Sequence, residues 1–178
     1  VAEWVIDTNV LLVATRAQLG RAPRRLAARG EDVPVADPEA QAKVFEWLKT
    51  LRQDRDEVVV DLPHDLIKAE YARKLDKDEY GRMVIADLMS RGRCKFVEVE
   101  VDENEHALVL HDAGSEVTDL EDRKMVAAAL ESGAPIANAC DTDWMDLEAR
   151  GTLERLGISV VHVIEAWCRA EWKRKSTP

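Results

Sequence analysis

Short apolar runs alternate with stretches of helical spacing along this chain. The runs at 3–6, 58–60, 95–101, 135–140 and 158–163 read as five strands, the third alternating apolar and polar residues as a half-exposed or edge strand does. Helical stretches fall between and after them: from Val10 onward, then over about 37–53, 64–75, 77–90, 119–130, 143–150 and 164–173. Asp37-Pro38-Glu39 is a strong helix start, because Asp caps, Pro fits the first turn and an acid favours the positive end of the dipole. Gly20, Pro23, Gly30 and Pro34 lie among several arginines, which predicts a loop or irregular insertion, an arm over about 16–35. Strands separated by helices predict an α/β fold: a three-layer α/β/α sandwich around a mainly parallel sheet of about five strands, in one domain over 1–178.

Composition narrows the setting. A chain of 178 residues suits a single core. With 34% charged residues and a mean hydropathy of -0.31, it holds no run apolar enough to span a bilayer. The first apolar stretch is cut by Asp7 and lacks a basic leader, so the expectation is a cytoplasmic protein with no membrane partner. Cys94, Cys140 and Cys168 stand far apart and read as reduced, buried thiols. The formal charge of -10, from 35 acidic against 25 basic residues, argues against a non-specific coat on nucleic acid. It leaves a nuclease possible, because clustered carboxylates add negative charge that a bound cation would neutralise.

Four carboxylates occupy pivotal places: Asp7 after WVI, Glu70 inside LIKAEYARKL, Asp122 in TDLEDRKMV and Asp141 after PIANAC. Ligands of open α/β sheets bind beyond the carboxyl ends of the strands, and Asp7 and Asp141 fall at two such ends. Asp122 opens a helix whose apolar face holds Met125, Val126 and Ala129. Glu70 shares a face with Leu66 and Ile67, where an acid needs a partner. Each also has a plainer reading. Asp7 could cap the helix through Thr8 and Asn9, Asp119 and Asp122 could form a capping-box-like pair, Asp141 and Asp143 could cap a helix from Trp144, and Glu70 could pair with Lys74. If the four converge, they make a site for hard cations such as Mg²⁺ or Mn²⁺, which activate water against phosphodiesters. Several carboxylates so close together, without metal, should raise some of each other's pKa values.

VIDTNVLL, the acid in PHDLIKAEY, DLEDRKMVAAAL and IANACDTDW, in that order over nearly the whole chain, resemble a PIN domain, a Mg/Mn-dependent ribonuclease fold. The resemblance implies that Asp7, Glu70, Asp122 and Asp141 are the catalytic, metal-binding quartet, Glu70 acting through water or orienting the nucleophile. It implies Asp143 as an accessory acid, Thr8 and Asn9 as hydrogen-bonders behind the ligands, Mg²⁺ or Mn²⁺ as cofactor, RNA as substrate and a homodimer. Two departures stand out. Ala139, followed by Cys140, stands where PIN domains often carry Thr or Ser two residues before the fourth acid, and the segment from Arg16 to Pro34 is longer than in compact toxin-type members.

Arg21, Arg24, Arg25 and Arg29 are the best candidates for RNA contact, followed by Arg73 and Lys74; a solvated charged face is the plainer reading. Lys173, Arg174 and Lys175 form a third basic cluster, beside Trp172, which suits a partner surface. Three settings fit. One is the toxin of a toxin–antitoxin pair, with an antitoxin or other regulatory protein blocking the acidic cleft; another is a processing or defence nuclease on RNA or single-stranded DNA; the third is an inactive PIN-like binding scaffold. DTDW is similar to the DxD of aspartyl-phosphate phosphatases, but Met145 stands where Thr or Val is usual. No P-loop, GxGxxG or GxSxG is present, and the four histidines lack HxxxH spacing.

Overall fold

The computed structural model of the chain describes residues 1–177. Strands β1 (Glu3–Ile6), β2 (Glu57–Leu62), β3 (Cys94–Glu98), β4 (Ile136–Asn138) and β5 (Val160–His162) form one sheet in the order β3-β2-β1-β4-β5. Every pairing is parallel. The run Val58, Val59 and Val60 is fully buried, as expected of a parallel strand covered on both faces. As its alternating pattern predicts, β3 lies at an edge.

The helices are α1 (Thr8–Leu19), α2 (Arg24–Ala27), α3 (Pro38–Gln53), α4 (Leu66–Lys74), α5 (Tyr80–Ser90), α6 (Leu120–Ser132), α7 (Asp143–Ala149), α8 (Thr152–Leu156) and α9 (Glu165–Ser176). Helices α1, α3 and α5 pack on one another, and α6 lies across β1 to β4, giving the α/β/α sandwich. Local chemistry sets the boundaries. Asp37 caps α3 by accepting from the Glu39 amide at 3.0 Å, and Gly133 in the left-handed region ends α6. The chain lays down β1, β2 and β3 in one direction, then returns past β1 to add β4 and β5 on the other side. Strand order therefore reverses between β1 and β4, where open α/β sheets leave a crevice at the carboxyl ends.

Residues 16–35 differ from the irregular arm that their glycines and prolines predict. α1 continues to Leu19, α2 forms within the segment, and Leu26, Val33 and Val35 enter the core. Arg24 pairs with Asp76, Asp78 and Glu79, and Arg25 with Asp76, which ties the segment to the α4–α5 connection. Leu26, Val33 and Val35 recur at neither a helical nor a sustained strand period, so the pattern of apolar residues does not show this packing. Trp172, read as a partner contact, donates its indole N–H to Asp146 Oδ1 at 2.7 Å.

Gly81, at the start of α5, is needed for space rather than for backbone freedom. A Cβ there would lie 2.7 Å from both Leu11 Cβ and Leu11 O on α1. Gly81→Ala is expected to cost about 1–3 kcal/mol by overpacking. That corresponds to a fall in Tm of roughly 2–10 °C for a domain of this size, readable in a thermal melt. An unchanged Tm would show that α1 and α5 separate without penalty.

Candidate metal centre

Asp7 is the first residue past β1 and caps α1, its Oδ1 accepting from the Asn9 amide at 3.2 Å. Its Oδ2 accepts from the indole N–H of the fully buried Trp144 at 2.6 Å. Asp141 lies three residues past β4, and one of its oxygens accepts from the Asp143 amide at 2.9 Å, at the start of α7. Asp122 sits in the first turn of α6, where the capping is done by Asp119, which accepts from the Glu121 amide at 2.8 Å. Asp122 is thereby released from a capping role and turns inward, only 8% exposed. Oxygens of Asp7, Asp122 and Asp141 all lie within 4.8 Å of one another, beyond the ends of β1 and β4. Asp119, Asp122 and Asp143 satisfy the same spacing and line a neighbouring cleft of about 160 Å³.

Burial and mutual repulsion dominate the electrostatics. Burial, reinforced by Asp141, pushes the Asp7 carboxyl up to about 7, despite the Trp144 hydrogen bond that favours its charged form. Burial again, with Asp141, Asp7, Asp119 and Asp143 adding repulsion, raises Asp122 to about 8. Asp141 is also raised, first by burial and then by Asp143 and Asp119. Among the described residues, no Lys, Arg or His forms an ion pair with any of the three. Lys175, bonded to the Thr142 hydroxyl at 3.0 Å, favours the charged form of Asp141 from outside the cluster. Hard oxygen donors, clustered and free of ion pairs, fit Mg²⁺ or Mn²⁺.

Glu70 is placed differently. It is close enough to add to the repulsion on Asp7, yet its own charge is answered: Lys124 Nζ lies 2.6 Å from Oε2, and the Thr8 hydroxyl donates to Oε1 at 2.7 Å. The partner is thus a lysine on α6, not Lys74 one turn along α4. Lys124 also reaches Glu121 at 2.8 Å. Burial acts upward on Glu121, but Lys124 and Arg73 together hold it down at about 2. Asn9 stands behind the site: its side-chain oxygen accepts from the amides of Ala139 at 2.7 Å and Cys140 at 3.2 Å, binding the loop before Asp141 to α1. Of the basic candidates, Arg24, Arg25, Arg29 and Arg73 are engaged by carboxylates, whereas Arg21 and Lys74 form no ion pair among the described residues.

Trp144 and Lys124 escaped the sequence reading. Lys124 stands one turn before the buried Ala128, which puts it on the covered side of α6. Trp144 follows directly on Asp143, but nothing local indicates that its indole reaches back to Asp7. A comparison with protein-family models, with curated proteins and with solved structures gave no match.

Between the ordinary value of 3.8 and about 8, the unfolded chain has released the Asp122 proton while the folded chain keeps it. Its contribution to stability is therefore present below 3.8 and is lost as pH rises to about 8. Asp122→Asn cannot ionise. In chelator at about pH 8 it is expected to melt above the wild type by roughly 3 °C or more, the gap closing toward pH 4. A gap of equal size at both pH values would show that repulsion at Asp122 is not its source.

Proposed function

We propose that this protein is a Mg²⁺- or Mn²⁺-dependent endoribonuclease of the PIN type, acting in the cytoplasm. The reading is carried by one observation: Asp7, Asp122 and Asp141 converge where the strand order reverses, and among the described residues none of them is in an ion pair. The three would hold the cation, which when bound supplies an acidified water and charge stabilisation for phosphodiester hydrolysis. Trp144 fixes the Asp7 carboxylate, and Asn9 fixes the loop that carries Asp141. Glu70, held by Lys124 and Thr8, acts through water at the rim rather than as a direct ligand. Asp143 and Asp119 deepen the negative potential beside Asp122. Of the candidate RNA contacts, Arg21 and Lys74 are those left without an ion pair among the described residues, because Arg24, Arg25, Arg29 and Arg73 are already committed to carboxylates. An inactive scaffold is a poorer reading: a binding module gains nothing from three mutually repelling acids, Asp7 and Asp122 buried and Asp141 half-buried, that lower its stability at neutral pH.

The test is cleavage of RNA oligomers. Wild-type protein is expected to cut in Mn²⁺, to stop in chelator, and to fall to background on Asp7→Asn. Equal cleavage by wild type and Asp7→Asn would overturn the reading. Single-stranded DNA in the same assay separates RNA specificity from a broader nuclease.

A further inference from the structure

Asn138 ends β4 and is fully buried, directly opposite His162 in the parallel register with β5. Its side chain closes both backbone groups of Asp141. Nδ2 donates to the Asp141 carbonyl at 2.8 Å, and Oδ1 accepts from the Asp141 amide at 3.0 Å. The second Nδ2 hydrogen faces His162 Nδ1 at 2.9 Å. The Cys168 sulfur lies 3.9 Å from the same Nδ2, and of the two amide orientations only this one satisfies both backbone groups of Asp141. Turned over, its oxygen would face the Asp141 carbonyl and its NH₂ would meet the Asp141 amide donor. His162 Nδ1, acting as acceptor, adds a second vote for the correct orientation, which leaves the imidazole proton on Nε2, on the side of Glu148 at 3.8 Å. The His162 side chain is only 5% exposed, so water does not readily replace Asn138.

The rest of the loop is held by other means. Asn9 takes the Ala139 and Cys140 amides, and the Cys168 thiol donates to the Ala139 carbonyl at 2.8 Å. The Asp141 backbone has no other side-chain hold among the described residues. Resting on the metal-site reading above, we propose that Asn138, oriented by His162, is the positioning residue that aims the Asp141 carboxylate at the cation. Ligand carboxylates depend on such outer partners, whose loss typically costs about 10–100-fold in metal affinity.

The experiment uses the full chain, Mn²⁺ as probe, and hydrogen exchange at the Asp141 amide. Asn138→Ala is expected to weaken Mn²⁺ binding by about 10–100-fold and to speed exchange at Asp141. Because Asn138 is buried, His162→Phe serves as the second arm: it keeps a ring of similar size, removes the Nδ1 acceptor, and should weaken both readouts in the same sense. His162→Asn, whose carbonyl can take the place of Nδ1, should restore both, a rescue that a purely space-filling role would not give. Wild-type Mn²⁺ affinity and an unchanged Asp141 amide in folded His162→Phe would overturn the proposal. If wild type and Asp7→Asn bind Mn²⁺ alike, the metal-site reading falls instead. Exchange at Asp141 then still decides the positioning, lost protection supporting it and retained protection overturning it.

Discussion

Three carboxylates held together without an ion pair among the described residues are the constraint on which the rest of this structure turns. Left to themselves, buried like charges move apart or keep their protons, and the raised values at Asp7 and Asp122 record the second response. They do not move apart because each is held by a rigid element. Asp7 is fixed by the end of a central strand and by an indole, Asp141 by a loop bonded to α1, and Asp122 by the first turn of a helix lying across four strands. The scaffold therefore holds the three acids in place, at a cost in stability at neutral pH.

Capping and convergence are two uses of the same side chain. A carboxylate has about four acceptor positions, and one helix amide occupies only one of them. Asp7 and Asp141 each accept from the amide two residues on and still contribute to the cluster. The plainer reading of each residue as a cap is thus true of both without displacing the other reading. At α6 the two duties are split between neighbours, with Asp119 capping and Asp122 facing the cluster.

The layer order, the parallel pairing and the edge position of β3 were legible because strand and helix periods are local properties of the chain. So was the placement of Asp7 and Asp141 just beyond two strand ends. Asp122 and Glu70 depend on contacts that spacing does not report. The plainer reading of Asp122 is a capping-box-like pair with Asp119, and that of Glu70 is a pair with Lys74. In the structure it is Glu70 that has a cation, from Lys124 at 54 positions' remove, while Asp122 has none. Sequence spacing reports neighbours within one helix and is silent on which helix will face it. The ion pairs of Arg24 and Arg25 are illegible for the same reason, their partners Asp76, Asp78 and Glu79 lying beyond an intervening strand and two helices.

Asp61 shows what separates an acid satisfied by the fold from those of the proposed site. It lies near the end of β2, the strand beside β1, and is fully buried. Both of its oxygens are taken by amides at the start of α4, Leu66 N to one and Ile67 N to the other, each at 2.8 Å. The positive end of a helix dipole answers its charge, and no second acid crowds it in either three-carboxylate group. Asp7 also stands at a strand end and also caps a helix, but it has one helix amide where Asp61 has two, and it faces Asp141 and Asp122. Burial and position at the sheet do not distinguish the two residues. The distinction lies in charge left unanswered by the protein, and that property follows the reversal of strand order between β1 and β4, because only there do the ends of two strands and the first turn of α6 deliver acids to one point.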